Sequence, residues 1–127
     1  YEYAQNYAQI NMAHYLVDQG MDLVLGSHPH VLQGIEKYKG KYILYSMGNF
    51  CFGGNTDPED KDSMIFQQTF TFVNHELQPD DNISIIPVSV SGVSYCNNYQ
   101  PVVLEGAEKE RVLQKILRNS SGFEYRE

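Results

Sequence analysis

A helical pattern that stops at a glycine and leads directly into a short apolar segment constrains the fold of this chain most. Apolar side chains recur at every third or fourth position over residues 4–19, which predicts a helix. Gly20 follows at the position where a left-handed residue commonly ends a helix. Residues 22–25 are an apolar run bounded by glycines, which predicts a buried strand. A buried strand after a helix is typical of an α/β fold.

The rest of the chain continues the mixture of helix and strand. Its patterns predict strands at residues 42–45, 66–73 and 83–90, and a last helix over residues 107–118. Residues 53–63 contain glycines, a proline and an acidic run, which predicts an exposed loop. We interpret the acidic run as solvated, because Lys61 stands where a calcium ligand would be needed. With 127 residues, the chain is long enough for one domain.

Charge and hydropathy exclude some classes of partner. The formal net charge is −7, so the chain lacks the positive field that binds nucleic acid, and we expect no nucleic-acid partner. No apolar run approaches the roughly 20 residues that cross a bilayer, so we expect no transmembrane segment in this chain. The two cysteines, Cys51 and Cys96, are compatible with one disulfide or with two free thiols.

The densest chemical feature is the segment that follows the first predicted strand, Gly-Ser-His-Pro-His at residues 26–30. Loops at the carboxyl ends of strands are the usual ligand sites of α/β sheets. Pro29 restricts the backbone between His28 and His30, so the two imidazoles can face a common point. Histidine is the commonest transition-metal ligand, which makes this pair a candidate metal site. The alternative is two loop histidines that hydrogen-bond to backbone carbonyls.

Two sequence blocks carry a resemblance to a known family. Residues 20–36 contain Gly-Ser-His-Pro-His-Val-Leu-Gln, and residues 45–52 begin Tyr-Ser-Met-Gly-Asn-Phe. With Glu2-Tyr3 before them, these blocks resemble the CapA-type poly-γ-glutamate capsule synthesis proteins, whose pattern is a Gly-x-His-Pro-His-Val-x-Gln loop and a Tyr-Ser-Leu-Gly-Asn-Phe strand end. The resemblance is strong over residues 1–53 and generic beyond them.

The resemblance implies a calcineurin-like metallophosphoesterase fold, an α/β sandwich with a mixed sheet and flanking helices. Residues 1–127 would form a single domain, the C-terminal portion of a CapA-type domain whose N-terminal half is absent. His28 and His30 would be ligands of a site for divalent metal ions, Mn, Zn or Fe, and with Asn49 they are the candidate catalytic residues. The other ligands would lie earlier in the longer protein, so we expect this chain alone to bind metal weakly or not at all and to be inactive.

Three further polar residues lie in or beside the matching blocks. Gln33, Ser46 and Glu2 are candidate substrate-binding residues, and local bracing of the loops is the alternative role for each. His14 falls within the first predicted helix and His75 follows the phenylalanine-rich strand, so we assign these two histidines structural or surface roles.

The resemblance implies a role in poly-γ-glutamate capsule biosynthesis, export or anchoring, with a metallophosphoesterase-like site that makes a metal-dependent hydrolase the enzymatic hypothesis. The alternative is a non-catalytic structural or polymer-binding module of the cell surface. The expected partners are poly-γ-glutamate or its synthesis machinery. The expected location is extracytoplasmic, with membrane attachment through upstream sequence. Half of a sandwich exposes apolar sheet surface, so we also expect self-association.

Overall fold

The computed structural model describes residues 1–79 and 82–125, which form helices at both ends and short strands between them. The elements are α1 (Tyr7–Asp18), β1 (Leu23–Leu25), β2 (Ile35–Tyr38), β3 (Lys41–Leu44), β4 (Asp62–Gln68), β5 (Phe72–Val73), β6 (Glu76–Leu77), β7 (Ile83–Ser89), β8 (Val102–Val103) and α2 (Gly106–Arg118). The predicted α/β class is therefore confirmed. In the described part of the chain no helix is both long and apolar enough to span a bilayer.

The first sheet has the strand order β1-β3-β2 and is mixed. β1 runs parallel to β3, and β2 runs antiparallel to β3. A two-residue turn at Lys39 and Gly40, both with positive φ, joins β2 to β3. Helix α1 covers one face of this sheet, because Ala13 and Val17 pack against Ile43.

The second sheet has the order β4-β7-β8, with β4 and β7 paired antiparallel along their whole length. Helix α2 buries Val112, Leu113 and Ile116 in a core that reaches both sheets. The other fully or largely buried members of this core are Leu32, Ile35, Tyr42, Leu44, Met64 and Ile85. The small hairpin β5-β6 stands apart as a two-stranded sheet. The shared core fixes α2 against the strands of both larger sheets.

The structure corrects two expectations about the first elements. Helix α1 begins at Tyr7 and not at residue 4, because Asn6 and Gln9 form a capping box with reciprocal hydrogen bonds of 3.0 and 2.9 Å. The prediction of a buried strand at residues 22–25 is wrong. β1 is an edge strand, and Leu25 is 54% exposed, since among the described residues only β3 pairs with it.

Candidate functional site

The segment of residues 26–30, called the histidine loop below, leaves β1 beside the end of β3. The backbone N–H of Gly26 donates to the carbonyl of Leu44 at 2.7 Å. A Cβ atom at Gly26 would lie 2.2 Å from the carbonyl oxygen of Tyr45, so only glycine permits this approach. The loop therefore starts at the carboxyl end of a strand, where the sequence predicted a ligand site.

The two histidines of the loop are held in an unusual backbone conformation. His28 has φ of 99° and His30 has φ of 62°, on either side of Pro29. Non-glycine residues seldom adopt positive φ, and each instance costs about 1–3 kcal/mol. The two ring centroids are 6.1 Å apart, with the ring planes tilted by 49°. The strained turn thus brings both imidazoles together, with His28 exposed and His30 half-buried.

Asn49 reaches the histidine loop from the segment that follows β3. Gly48 precedes it with φ of 71°, and a Cβ atom there would lie 2.9 Å from the carbonyl oxygen of Asp62. The amide oxygen Oδ1 of Asn49 lies 2.8 Å from Nδ1 of His30, and its Nδ2 donates to the His30 carbonyl at 3.3 Å. The ring of Phe52 packs 4.9 Å from the His30 ring. Three of the candidate residues, His28, His30 and Asn49, therefore form one cluster.

The other three candidates make bracing contacts. Gln33 is completely buried; its Nε2 donates to the carbonyls of Glu2 at 2.7 Å and Ala4 at 3.2 Å, and its Oε1 accepts from Gln9 at 2.8 Å. Ser46 is also buried, and its Oγ accepts from the backbone N–H of Gly48 at 3.3 Å.

These contacts tie the N-terminal segment and the end of β3 to the base of the histidine loop. Glu2 takes part through its backbone carbonyl, while the residue itself is exposed. The structure thus places Gln33 and Ser46 in the interior, and Glu2 contributes main-chain contact in this arrangement.

The two remaining histidines lie in other environments. His14 stacks on Tyr38 with ring centroids 3.8 Å apart, and its Nε2 lies 2.9 Å from a carboxylate oxygen of Glu36. The hydroxyl of Tyr45 donates to the other oxygen of that carboxylate at 2.5 Å. Burial is the larger cause, and this hydrogen bond the smaller one, of a pKa of Tyr45 above its usual range. His75 is exposed in the turn between β5 and β6. These positions agree with the structural and surface roles predicted from the sequence.

A second cluster of charged side chains was not predicted from the sequence. Asp60, Asp62, Arg111 and Lys115, called the charge cluster below, join the start of β4 to helix α2. Arg111 binds both carboxylate oxygens of Asp62 at 2.7 and 2.8 Å, and Lys115 donates to Asp62 at 2.8 Å and also contacts Asp60. Asp62 is 7% exposed. The expectation that the acidic run 57–62 is solvated is therefore wrong for Asp62.

The charge cluster shifts the ionisation of its members. Burial would raise the pKa of the Asp62 carboxyl, but hydrogen bonds from Arg111 and Lys115 outweigh burial and hold the pKa below its usual value. Burial lowers the pKa of Lys115, and the bonds to Asp60 and Asp62 more than reverse that effect. A signal for this cluster exists in the sequence: Arg111 and Lys115 are four residues apart, which puts two cations on one face of α2.

The donors of the histidine loop suit a transition metal but are few. Imidazole nitrogen is a common ligand for such ions, and a single protein-bound zinc ion takes three or four protein ligands. Over residues 1–79 and 82–125, no group of three or more His, Cys, Asp or Glu side chains is arranged to hold a metal ion. Cys51 is exposed and Cys96 is half-buried, and both are free thiols. The described residues thus fit part of a metal site and not a complete one.

Comparison with known proteins gives a family for the part of the chain that contains this cluster. Residues 1–54 match the family described as bacterial capsule synthesis protein PGA_cap. The PGA biosynthesis protein CapA of Bacillus subtilis is 46% identical over 52 residues, which are 41% of this chain and 14% of that protein. The capsule biosynthesis protein CapA of Bacillus anthracis is 30% identical over 112 residues, which are 87% of this chain and 24% of that protein.

These comparisons confirm the resemblance drawn from the two sequence blocks. The match of the family covers the histidine loop and Asn49. The chain spans about a quarter or less of the length of these two relatives.

Proposed function

We infer that this chain, whose residues 1–54 match the bacterial capsule synthesis protein family, is part of a protein that makes, exports or anchors poly-γ-glutamate capsule at the cell surface. The two relatives named above are a PGA biosynthesis protein and a capsule biosynthesis protein. The family match across the cluster of His28, His30 and Asn49 carries this proposal. We place the protein outside the cytoplasm, where a surface polymer is handled.

We propose that the fold is the C-terminal part of a calcineurin-like metallophosphoesterase sandwich. The mixed order β1-β3-β2, with α1 on one face, supports this assignment. Among the described residues β1 pairs with β3 alone, and the unpaired backbone groups of such an edge strand support continuation of the sheet in the longer protein. The same edge, with Leu25 largely exposed, supports self-association of this chain when it stands alone.

Within that fold we propose that His28 and His30 each contribute a ligand to a site for divalent Mn, Zn or Fe. Their placement supports this role, since the strained loop sets two imidazoles side by side at the end of a strand. The remaining ligands would come from parts of the longer protein. When bound, such an ion lowers the pKa of a coordinated water and polarises a phosphoryl or amide bond, which makes a metal-dependent hydrolase the enzymatic form of the proposal.

A second candidate function is a non-catalytic module that helps assemble or anchor the polymer. Gln33 and Ser46, two of the candidate substrate-binding residues, favour it, because both are buried and bonded to the protein itself. The net charge of −7 disfavours direct binding of a polyanion such as poly-γ-glutamate. In this second role, the chain would therefore bind the synthesis machinery and not the polymer itself.

The experiment that separates these functions replaces histidines in the full-length protein of a capsule-forming bacterium. We expect His28→Ala and His30→Ala to abolish polymer at the cell surface while circular dichroism and the thermal midpoint show a folded protein. His75→Ala is the matched control, because His75 is an exposed histidine that also has positive φ, of 67°. Normal capsule in both loop variants would overturn the metal-dependent role.

A further inference from the structure

The buried amide of Asn49 makes two contacts with a single residue, and together these contacts fix its orientation. Its nitrogen Nδ2 faces the backbone carbonyl of His30, and its oxygen Oδ1 faces the ring nitrogen Nδ1 of His30. A carbonyl oxygen only accepts hydrogen bonds, so the amide nitrogen has to be the atom beside it. The opposite orientation would set two oxygens against each other. The amide oxygen therefore points at the imidazole.

The orientation of Asn49 determines which ring nitrogen of His30 carries the proton. An amide oxygen only accepts, so Nδ1 at 2.8 Å has to donate. A neutral imidazole has one N–H and one lone pair, so the lone pair of His30 lies on Nε2.

Packing on both partners opposes rearrangement of this pair. Asn49 is only 9% exposed, and the close approach of Gly48 to the Asp62 carbonyl fixes the backbone that precedes it. On the other side, the ring of Phe52 covers the His30 ring at 4.9 Å. A half-turn of the imidazole would replace the N–H facing Asn49 by a carbon and would lose the hydrogen bond. The arrangement is therefore held by more than the bond itself.

We propose that Asn49 is a positioning residue that holds His30 in the Nδ1–H tautomer and so keeps the lone pair on Nε2. The use of that lone pair on a metal ion rests on the proposed function of the histidine loop, whereas the tautomer does not. Metal-binding histidines commonly donate their other ring N–H to an acceptor, which fixes ring orientation and raises the basicity of the ligand atom. An amide oxygen serves as such an acceptor without adding charge beside the site.

The chain contains its own reference for the opposite tautomer. Nε2 of His14 faces a carboxylate oxygen of Glu36 at 2.9 Å. A carboxylate only accepts, so His14 carries its proton on Nε2. Opposite tautomers are thus expected for His14 and His30 in the same measurement. His28 and His75 are exposed and serve as references without a fixed tautomer.

The test is long-range proton–nitrogen NMR correlation on this chain labelled with ¹⁵N, at a pH where the imidazoles are neutral and without metal. We expect His30 to give a protonated Nδ1 and a bare Nε2, and His14 to give the reverse. The exposed His28 and His75 should give nitrogen shifts averaged between the two tautomers. An Nε2–H or averaged pattern for His30 would overturn the inference.

Two variants of Asn49 separate positioning from a general structural role. Asn49→Leu removes the acceptor and should move His30 to averaged shifts. Asn49→Asp keeps an oxygen that accepts from Nδ1 and should retain the Nδ1–H pattern, although its second oxygen replaces the donor to the His30 carbonyl. Unchanged His14 signals in both variants show that the fold is intact. An unchanged His30 pattern in Asn49→Leu would overturn the inference.

Metal affinity of the full-length protein gives the second measurement. We expect Asn49→Leu to weaken Zn²⁺ or Mn²⁺ binding about 10–100-fold in calorimetry, as loss of a supporting hydrogen bond to a ligand does, and Asn49→Asp to bind metal more tightly than Asn49→Leu, because it keeps the acceptor for Nδ1. If the Nδ1–H tautomer is observed but capsule survives the loop variants, the proposed function fails and the tautomer inference stands. If His30 gives averaged shifts but capsule is lost in the loop variants, the tautomer inference fails and the proposed function stands.

Discussion

The histidine loop and the charge cluster both concentrate ionisable side chains, yet they differ in how those side chains are satisfied. In the charge cluster, the Asp62 carboxylate is buried and binds two cations from α2. In the histidine loop, His28 is exposed and both histidines carry positive φ, with one side-chain hydrogen bond from the ring of His30 to Asn49. The first arrangement pairs its buried charges with each other, and the second holds two residues in a strained backbone conformation.

This difference separates a structural site from a candidate functional one. Groups that are fully bonded to each other have no free donor or lone pair for a ligand. Backbone strain, in contrast, persists only where the surrounding structure holds the strained residues in place. The two regions also meet, because the Asp62 carbonyl oxygen is so near Gly48 that a Cβ atom there would lie 2.9 Å from it. The charge cluster thus borders the turn that leads into Asn49.

Removing the centre of the charge cluster should have the largest effect. We expect Asp62→Ala to lower the free energy of unfolding by about 3 kcal/mol, because it leaves the half-buried Lys115 short of a partner; Asp60 remains to limit the loss. Urea denaturation followed by circular dichroism measures this change. The control is Asp57→Ala, an exposed member of the same acidic run, which should cost less than about 0.5 kcal/mol. Equal effects of the two substitutions would contradict the distinction between the regions.

Lowering the pH should reduce the free energy of unfolding by part of the amount expected for Asp62→Ala. The pKa of Asp62 in the folded protein is below the ordinary value of 3.8, so its stabilising contribution is present above pH 3.8 and is lost as pH falls through the lowered pKa. We expect this acid-induced loss in the unsubstituted protein to be smaller than the loss that Asp62→Ala causes at neutral pH, because protonated Asp62 still accepts hydrogen bonds. The acid-induced fall should be shallower in Asp62→Ala, and an identical fall in both proteins would contradict the assignment.

A substitution that relieves strain in the histidine loop should have the smallest effect and the opposite sign. Glycine tolerates φ of 99°, so we expect His28→Gly to be about 1 kcal/mol more stable than His28→Ala, by thermal unfolding. His14 provides the matched control, since it lies inside helix α1, where glycine should be about 1 kcal/mol less stable than alanine. The same sign at both positions would show that the loop stores no strain.

The parts of the fold that the sequence predicted are those governed by local pattern. The last helix, predicted over residues 107–118, is observed as Gly106–Arg118, because its apolar stripe is regular. Strand β2 was missed, since Ile35–Tyr38 is short and half charged, and pairing with β3 across a two-residue turn makes it a strand. The exposure of β1 was also missed, because a strand's position in a sheet depends on its neighbours and not on its own residues.

The candidate site was predictable where neighbouring residues and the family pattern decided it. The histidine loop and Asn49 come together as expected, but the bracing role of Gln33 depends on contacts with residues near position 4 that the sequence does not pair. The charge cluster was hidden for the same reason, since Asp62 and Arg111 are 49 positions apart. Tertiary pairing of polar groups is the information that local pattern lacks.

The residues just after α2 are bonded to elements from the start of the chain, and this has a consequence for the order of folding. Gln5 donates to the carbonyl of Asn119 at 3.1 Å, and the backbone N–H of Ile35 donates to Oγ of Ser120 at 2.9 Å. These bonds close loops of 114 and 85 positions. Pairings of such sequence separation slow folding, because the chain entropy is lost before the contact forms. During synthesis on the ribosome, Gln5 and Ile35 therefore cannot form these bonds until Asn119 and Ser120 have left the ribosome.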